Sequence, residues 1–224
     1  MINIHYFKNI NPFKTVLYNF KWFPFNIARH LPVFIGWNTR VRNLGRVVLD
    51  CDIHMGMINL GFPLGGFRNK NDDTFIDIRG YVIFKGRCSL GKGCKVIVDS
   101  NGHIEFGSNF NCTAGLNMES KKSIIFGDNC VLSWDVTILD TDFHPIYNEY
   151  CAIINPNRSV VIGNDVWIGY NCKIMKGTKV ADNTIIASNT IVTTSITQSG
   201  VIIANEGNSQ RILKSGISWK PADL

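Results

Sequence analysis

The sequence predicts an all-β fold in which short parallel strands wind around a prism, that is, a parallel β-helix. Two observations support this prediction. Apolar side chains recur at every sixth position through the C-terminal half of the 224-residue chain, and tripeptides rich in Gly, Asn and Asp follow several of them. A period of six fits neither an α-helix nor a flat strand, which repeat every ~3.6 and ~2 residues. Hexapeptide repeats are typical of β-helices, in which three units close one coil of about 18 residues.

Two interleaved tracks of side chains define the repeat. The first track, spaced by six, is aliphatic or Phe and comprises Phe126, Leu132, Ile138, Ile162, Ile168, Ile174, Val180, Ile186 and Val192. The second lies four residues further on, is mostly small or β-branched, and comprises Cys130, Val136, Val166, Cys172, Thr178, Thr184, Thr190 and Ile196. The phase survives the gap between Ile138 and Ile162. We therefore expect the first track to stack inside the prism and the second to fill its corners.

The corners and the upstream coils are less regular. Turn tripeptides such as Gly127-Asp128-Asn129 and Gly163-Asn164-Asp165 suit corners, because Gly, Asn and Asp tolerate left-handed backbone conformations. Weaker traces of the repeat occur at Phe84, Leu90, Val96, Phe106 and Cys112, with a shift of phase. We expect five to seven coils, with an excursion within Asn59–Asp73, where the repeat slips.

The chain divides into three predicted segments: a basic and aromatic cap over 1–39, the β-helix over 40–203, and a tail over 204–224. Asn11-Pro12 is a typical helix start, with Asn as the cap and Pro at the first helical position. Phe13, Val16, Leu17 and Phe20 then fall on one helical face. Gln210–Trp219 is expected to fold back as a second cover, because an open coil exposes strand edges and core.

The net charge of +6 is a property of the N-terminal segment alone. Seven Lys and Arg residues and no acidic residue precede Asp50, and ten aromatic residues lie within 1–37. Such a segment suits two roles: a helix clamped over the first coil with its aromatic residues in the core, or a segment lying on an anionic membrane surface. The sequence leaves both open. The same basic surface also suits an anionic polysaccharide, and no nucleic-acid partner is expected.

Other features exclude several classes of protein. The seven cysteines contain no CxxC pair, which argues against a zinc site or a disulfide framework and favours reduced, buried thiols. No apolar stretch reaches the ~20 residues of a membrane span, and no signal peptide is recognisable. We expect a cytoplasmic protein, with a peripheral position at the inner face of the membrane as the alternative.

The repeat is interrupted once, between Ile138 and Ile162, by a loop over about 139–159 that contains His144. A loop that leaves a rigid scaffold and returns in register is a favourable place for chemistry. Histidine is the side chain best suited to accept a proton near neutral pH, although a solvated or structural histidine is the commoner case.

Residues 103–219 resemble the hexapeptide acyltransferases, in particular the maltose, galactoside and capsule or lipopolysaccharide O-acetyltransferases. The matching stretches are Ile125–Cys130, the loop Asp142-Phe143-His144-Pro145, and Val161–Gly169 with its Val-Trp-Ile-Gly ending. The resemblance implies a left-handed parallel β-helix, with His144 as the general base that takes the proton of the acceptor hydroxyl. Asp142 or Asp140 would orient the imidazole, and a backbone carbonyl is the alternative orienting group.

The same resemblance implies an acetyl-CoA site on the outer face of the last coils. Trp167 would form an apolar wall near the acyl-CoA arm, and the other matched positions are Gly169, Tyr170, Ser188, Thr193, Arg211 and Lys214. The sequence departs from the family in two places. The usual Gly-Asn-Pro-Ala-Lys of the tail is Gly207-Asn208-Ser209-Gln210-Arg211, and Thr194 replaces a common Lys. Arg211 and Lys214 are equally consistent with a role in binding CoA and with being ordinary solvated surface residues.

The expected activity is therefore acetyl transfer from acetyl-CoA to a sugar hydroxyl of a surface polysaccharide or its precursor, in a homotrimer whose sites lie between subunits. N-acetylation of an amino sugar and acetylation of a xenobiotic are the alternatives among enzymes. A metal-dependent hydratase needs three histidines, but the repeat-bearing half contains only His103 and His144. No metal is expected. A passive binding solenoid would leave His144 and Trp167 unexplained.

Overall fold

A computed structural model describes residues 7–65, 71–207 and 209–220. Two helices, α1 (Pro12–Trp22) and α2 (Phe25–Ala28), precede a run of 22 strands in the described ranges. Neither helix has the length and hydrophobicity that a bilayer crossing needs. The strands form three sheets, each contributing one side of a prism, and all of them pair in parallel except the last strand of the first sheet.

Sheet 1 contains, in spatial order, β1 (Val33–Ile35), β4 (Ile58–Phe62), β7 (Cys88–Gly91), β10 (Phe110–Ala114), β13 (Val131–Trp134), β16 (Trp167–Ile168), β19 (Ile185–Ile186), β21 (Val201–Glu206) and β22 (Ser209–Ser215). Sheet 2 contains β2 (Thr39–Asn43), β5 (Thr74–Ile78), β8 (Lys95–Val98), β11 (Asn117–Ser120), β14 (Thr137–Leu139), β17 (Lys173–Ile174) and β20 (Ile191–Val192). Sheet 3 contains β3 (Arg46–Leu49), β6 (Tyr81–Phe84), β9 (His103–Phe106), β12 (Ile124–Phe126), β15 (Val160–Ile162) and β18 (Lys179–Val180). The predicted left-handed parallel β-helix is thus confirmed.

The six-residue repeat forms the core. All nine residues of its first track are buried, and they stack across coils in three columns, one for each sheet. On sheet 1, for example, Leu132 pairs with Ile168, and Ile168 pairs with Ile186. The second track is buried as well. Several corner residues between strands have positive φ, among them Asn129, Asp165, Asn171, Asn183 and Asn189, which explains why Asn and Asp recur there.

The phase shift upstream has a simple geometric cause, which is a change in coil length. Asn111 pairs with Ser89 on one side and with Val131 on the other, and both steps along the chain are longer than the later one from Trp167 to Ile185. The extra residues lengthen most strands of the early coils to four or five residues.

The predicted excursion from Asn59 is wrong at its start, because residues 59–62 belong to the buried β4. A register shift at Leu60/Phe62 accompanies Gly61, whose φ is +79°. Residues 66–70 of that predicted excursion lie outside the described residues.

The N-terminal cap is a helix, as predicted, and its apolar face is turned away from the first coil. Asn11 caps α1 by accepting a hydrogen bond from the amide of Lys14 at 3.0 Å, and Pro12 follows as the first residue. The face turned towards the first coil is polar at its centre: Thr15 and Asn19 are buried. The predicted apolar face of Phe13, Val16, Leu17 and Phe20 is exposed instead, with Phe13 at 82%. Tyr18 and Trp22 of the same helix are partly buried and pack against the core.

The C-terminal segment folds back as predicted, but as a strand. β22 runs antiparallel to β21 and extends sheet 1 beyond the last coil, with most of its side chains exposed. The chain then returns along the prism, where the indole of Trp219 donates a hydrogen bond to the carbonyl oxygen of Asp165 at 2.6 Å. All seven cysteines are free thiols, and five of them are buried in the prism.

Candidate functional site

The loop that interrupts the repeat leaves the prism after β14 and returns at β15, at the corner between sheets 2 and 3. Its first residue, Asp140, is fully buried and accepts three hydrogen bonds of 2.8 Å, from the Ser120 hydroxyl and the amides of Lys121 and Lys122. A buried carboxylate is stable only when donors surround it. Asp140 therefore anchors the loop to the previous coil and is not available to orient His144.

Asn155 closes the loop internally. Its side-chain amide donates to the carbonyl oxygen of His144 and to Oδ2 of Asp142, both at 2.9 Å, and its Oδ1 accepts from the amide of Ile146 at 2.6 Å. Between these contacts the chain forms a small hairpin, in which Tyr147 bridges Ile153. One half-buried side chain therefore binds the Asp142 carboxylate before His144 and the backbone at and after His144.

Lys176 fixes the same loop from the prism. Its ammonium lies 2.5 Å from Oδ2 of Asp142 and donates to the carbonyl oxygens of Asn155 and Pro156 at 2.8 and 3.2 Å. Only 10% of the Lys176 side chain is exposed. The hydrogen bond from Lys176, followed by the one from Asn155, lowers the pKa of the Asp142 carboxyl below its ordinary value. Asp142 therefore holds the loop as an anion.

His144 itself is exposed. Its amide donates to the carbonyl oxygen of Asp142 at 2.8 Å, so the contact between these two residues runs through the backbone. Within the described part of the chain, no hydrogen bond or ion pair reaches the imidazole. The predicted pairing of the Asp142 carboxylate with His144 is therefore absent from this structure. The main chain of His144 is held in place, and its imidazole ring is accessible to groups from outside the loop.

Trp167 lies on the outer face of sheet 1, with 40% of its surface exposed. Its indole nitrogen donates to the hydroxyl of Ser133 at 3.3 Å, and its ring lies 5.8 Å from that of Trp219, centroid to centroid. Trp134 and Tyr170 form a second aromatic pair, with their rings 5.6 Å apart. Trp134 and Trp167 belong to strands of sheet 1, and each is paired with a ring outside that sheet; we call these two pairs the aromatic wall.

Gly169 allows two neighbouring coils to pack closely beside these aromatic residues. A Cβ at this position would lie 2.7 Å from the amide nitrogen of Ser188 and 2.8 Å from the carbonyl oxygen of Ile186. Only glycine allows so close an approach of two coils. Tyr170 and Ser188 are exposed at the same corner, between sheets 1 and 2.

The remaining predicted CoA residues lie near the C-terminal end. The amide of Thr193 donates to Oε1 of Gln210 at 3.2 Å, and this amide oxygen also accepts from the amide of Thr194. Arg211 and Lys214 are exposed on β22, and Arg211 pairs with Glu206 at 2.8 Å. The structure therefore groups Trp167, Gly169, Tyr170 and Ser188, and places the basic pair on the neighbouring edge strand. Asn208 lies outside the described residues.

His144 and Trp167 belong to different sides of the prism. The loop emerges between sheets 2 and 3, Trp167 lies on sheet 1, and no hydrogen bond or ring contact joins the two among the described residues. Sequence reasoning did not single out Asn155, Lys176, Ser133 or Trp219 as site residues. Only Trp219 carried a signal, as a large aromatic residue in a tail expected to fold back. Across the described residues, no group of three or more His, Cys, Asp or Glu is arranged to hold a metal ion.

Comparisons with known proteins agree with this architecture. Residues 159–194 match the bacterial transferase hexapeptide (six repeats) family. The chain is 34% identical to a polysialic acid O-acetyltransferase of Neisseria meningitidis over 91 residues, 40% of this chain and 39% of that protein. It is 36% identical to a polysialic acid O-acetyltransferase of Escherichia coli O1:K1 / APEC over 141 residues, 62% of this chain and 42% of that protein. The chain thus spans about two fifths of the length of these curated relatives.

The crystal structure of the polySia specific acetyltransferase NeuO has a similar fold, with a TM-score of 0.51 and 24% identity, covering 84% of this chain and 76% of that one. At this identity the likeness concerns the fold alone. The matched repeats and the sequence relatives together confirm that this chain is similar to the hexapeptide-repeat transferases, the family that its sequence resembles.

Proposed function

We propose that this protein is an acetyl-CoA-dependent O-acetyltransferase that acts on a sugar hydroxyl of a surface polysaccharide, in a capsule or lipopolysaccharide, or on its precursor. The observation that carries the proposal is the fixed loop around His144. Asn155 binds the carbonyl oxygen of His144 and the amide of Ile146, while the imidazole is exposed and has no partner among the described residues. The two sequence relatives, each named as a polysialic acid O-acetyltransferase, support the acceptor class.

In the proposed reaction His144 acts as the general base. Its unprotonated imidazole nitrogen takes the proton of the acceptor hydroxyl while the oxygen attacks the thioester carbonyl of acetyl-CoA. The C–O bond forms, and the carbonyl electron pair moves to the oxygen of a tetrahedral intermediate. When this intermediate collapses, the C–S bond breaks and the CoA thiolate takes the proton from the imidazolium. The products are the acetyl ester and CoA, and His144 is returned to its neutral form.

The donor would lie along the aromatic wall of sheet 1. Trp167 offers a flat, partly exposed surface to the pantetheine arm, beside Tyr170 and Ser188. Thr193 lies at the turn bound by Gln210, and Arg211 and Lys214 on β22 supply positive charge for the phosphates of CoA. Gly169, without a side chain, lets its coil pack closely against the backbone of Ile186 and Ser188 in the next one.

A complete site needs two chains in this proposal, because the His144 loop and the Trp167 wall lie on different sides of one prism. A cyclic homotrimer would bring the loop of one subunit against sheet 1 of the next. The tip of the loop suits such a contact, since Ile146, Tyr147, Tyr150, Ile153 and Ile154 are all exposed large apolar residues. The expected cytoplasmic location and peripheral position at the membrane are also proposals, and the reaction depends on neither.

The test is a CoA-release assay with acetyl-CoA across a panel of glycan acceptors, amino sugars included, comparing the wild type with His144→Ala. We expect a loss of about 10²-fold or more in kcat, because a positioned base contributes at least that much. His54→Ala, a change at an exposed histidine outside the loop, is the matched control and should keep full activity. Retention of most activity by His144→Ala would refute the proposed base. A preference for amino-sugar amines over hydroxyls would replace O-acetylation with N-acetylation.

A further inference from the structure

Helix α1 presents its polar face to the protein and its apolar face to the outside. The buried side carries Asn11, Thr15 and Asn19, spaced by four. The outer side carries Phe13, Val16, Leu17 and Phe20, at the spacing of a continuous apolar stripe. These four residues and Phe25, whose ring lies 6.1 Å from that of Phe20, form what we call the cap patch.

The inverted orientation has a cause in the open end of the β-helix. β1 is the first strand of sheet 1, and no coil precedes it in the described part of the chain to satisfy its peptide groups. The side chain of Asn19 makes the hydrogen bonds that a neighbouring strand would otherwise make. Its Oδ1 accepts from the amide of Val33 at 3.1 Å, and its Nδ2 donates to the carbonyl oxygen of Val33 at 2.7 Å. The hydroxyl of Thr15 accepts from the amide of Ile35 at 3.1 Å. The polar face therefore has to point inwards, and the cap patch remains outside.

The charges around the cap patch are positive. Lys8 and Lys21 are exposed before and at the end of α1, and Arg29 is exposed at the end of α2. No ion pair with a carboxylate involves these three residues among the described ones. By contrast, Arg40 and Arg42 on β2 pair with Asp73 and Asp77 of the next coil. The cap patch is thus an apolar surface with a rim of cations and without acidic residues before Asp50.

From these observations we infer that the cap patch binds the surface of an anionic lipid bilayer, with Phe13, Leu17, Phe20 and Phe25 inserted among the acyl chains. Aromatic and aliphatic side chains on one face of a helix, with Lys and Arg beside them, are the combination that holds a helix in the plane of an interface. Each cation adds attraction to anionic head groups. A second copy of this chain fits less well, because a symmetric contact through the patch would set Lys8, Lys21 and Arg29 against their own counterparts.

The prism would then stand with its N-terminal end on the membrane and its catalytic coils away from it. The His144 loop leaves the fifth coil and Trp167 lies in the sixth, whereas α1 covers the first. Binding through the cap patch would therefore leave the proposed active site open to an acceptor held near the bilayer. The lipid contact itself does not depend on the proposed acetyl transfer.

Co-sedimentation of the full chain with vesicles tests this inference. We expect binding to vesicles of phosphatidylcholine with phosphatidylglycerol, and at least about tenfold weaker binding to phosphatidylcholine alone. Two variants address the two components: Phe13→Ser/Leu17→Ser/Phe20→Ser removes the apolar contacts, and Lys8→Glu/Lys21→Glu/Arg29→Glu reverses the charges. Each should weaken binding by at least about tenfold. The matched control, Ile212→Ser/Leu213→Ser, changes exposed apolar residues on β22 and should bind like the wild type.

The outcomes separate the possible occupants. Wild-type protein that stays in the supernatant with anionic vesicles at low salt overturns the inference. Vesicle binding that requires the cations but survives the three serine substitutions also overturns it, since it indicates surface charge without insertion. A serine variant with lower mass in light scattering and unchanged vesicle binding assigns the patch to a second copy instead. Because all the substituted residues are exposed, circular dichroism should show the same fold in every variant.

Discussion

The side-chain amide of Asn155 donates a hydrogen bond of 2.9 Å to the carbonyl oxygen of His144, across eleven residues of loop. The same nitrogen donates to Asp142, which is in turn bound by Lys176 from the prism. The proposed base is therefore positioned by its main chain, through a network that begins on the rigid coils. Such support from neighbouring residues is what allows a loop to hold a reacting group in place.

Asn155→Ala should lower kcat by roughly tenfold to 10²-fold without much change in the KM for acetyl-CoA, because small displacements of a catalytic group reduce rates on this scale. Steady-state kinetics with varied acetyl-CoA measures both parameters. Asn148→Ala is the control from the same loop: its Oδ1 accepts from the amides of Tyr150 and Ala152 at the tip, away from His144. Equal losses of kcat in both variants would contradict a specific role for Asn155.

Lys176→Met should lower the free energy of unfolding at neutral pH, and the difference from the wild type should shrink in acid. The pKa of Asp142 in the folded protein is lowered by Lys176 and Asn155, so the pair stabilises the folded state above the ordinary carboxyl pKa of 3.8. This contribution is lost as the pH falls through the lowered value. Urea unfolding from pH 7 to pH 3, with Lys179→Met as an exposed control, checks the prediction. A difference that stays constant with pH would show that Asp142 is not involved.

Trp167→Ala should raise the KM for acetyl-CoA by about tenfold while the protein stays folded, because a partly exposed ring contributes more to ligand contact than to the core. Trp167→Phe should recover most of the affinity, since it keeps an aromatic face. Titration of the protein with CoA by calorimetry gives the binding constants directly. Unchanged CoA binding by Trp167→Ala would place the donor elsewhere.

Mixed oligomers test whether a site combines two chains. If His144 and Trp167 act from neighbouring subunits, co-refolding of His144→Ala with Trp167→Ala should restore up to about a quarter of the sites in a cyclic trimer. Activity at low acetyl-CoA concentration is the measurement, and each variant refolded alone is the control. Failure of the mixture to exceed its parents, with mixed trimers shown by mass spectrometry, would contradict a shared site.

Gly169→Ala should destabilise the protein by about 1–3 kcal/mol, the usual consequence of overpacking. The added Cβ would meet the backbone of Ser188 and Ile186, which cannot move without disturbing the next coil. Thermal unfolding followed by circular dichroism measures the effect. Ser188→Ala removes only an exposed hydroxyl and should leave the stability unchanged. A Gly169→Ala variant of normal stability but weak CoA binding would favour direct contact with the donor over packing.

The periodicity of the chain is sufficient to predict the prism. Nine apolar residues in one phase of six predict the regular coil of a β-helix, and all nine are buried in the structure. The repeat is local, since each strand and corner depends on its own six residues and on similar neighbours above and below. The interruption at the His144 loop was visible for the same reason. The upstream coils were less clear because they are longer and unequal in length, which hides the phase.

Contacts between distant segments are visible only in the folded chain. Asn155 and Lys176 hold the His144 loop through contacts between segments that are distant in the sequence, and no periodicity marks such pairs. The outward face of α1 is the same kind of result. Its stripe of apolar residues suits a buried face and a membrane surface equally well. The peptide groups of β1 need hydrogen-bond partners, which Thr15 and Asn19 supply from the other face. Because peptide groups at the end of a sheet need partners, these hydrogen bonds turn the polar face of the helix towards the open end of the first coil.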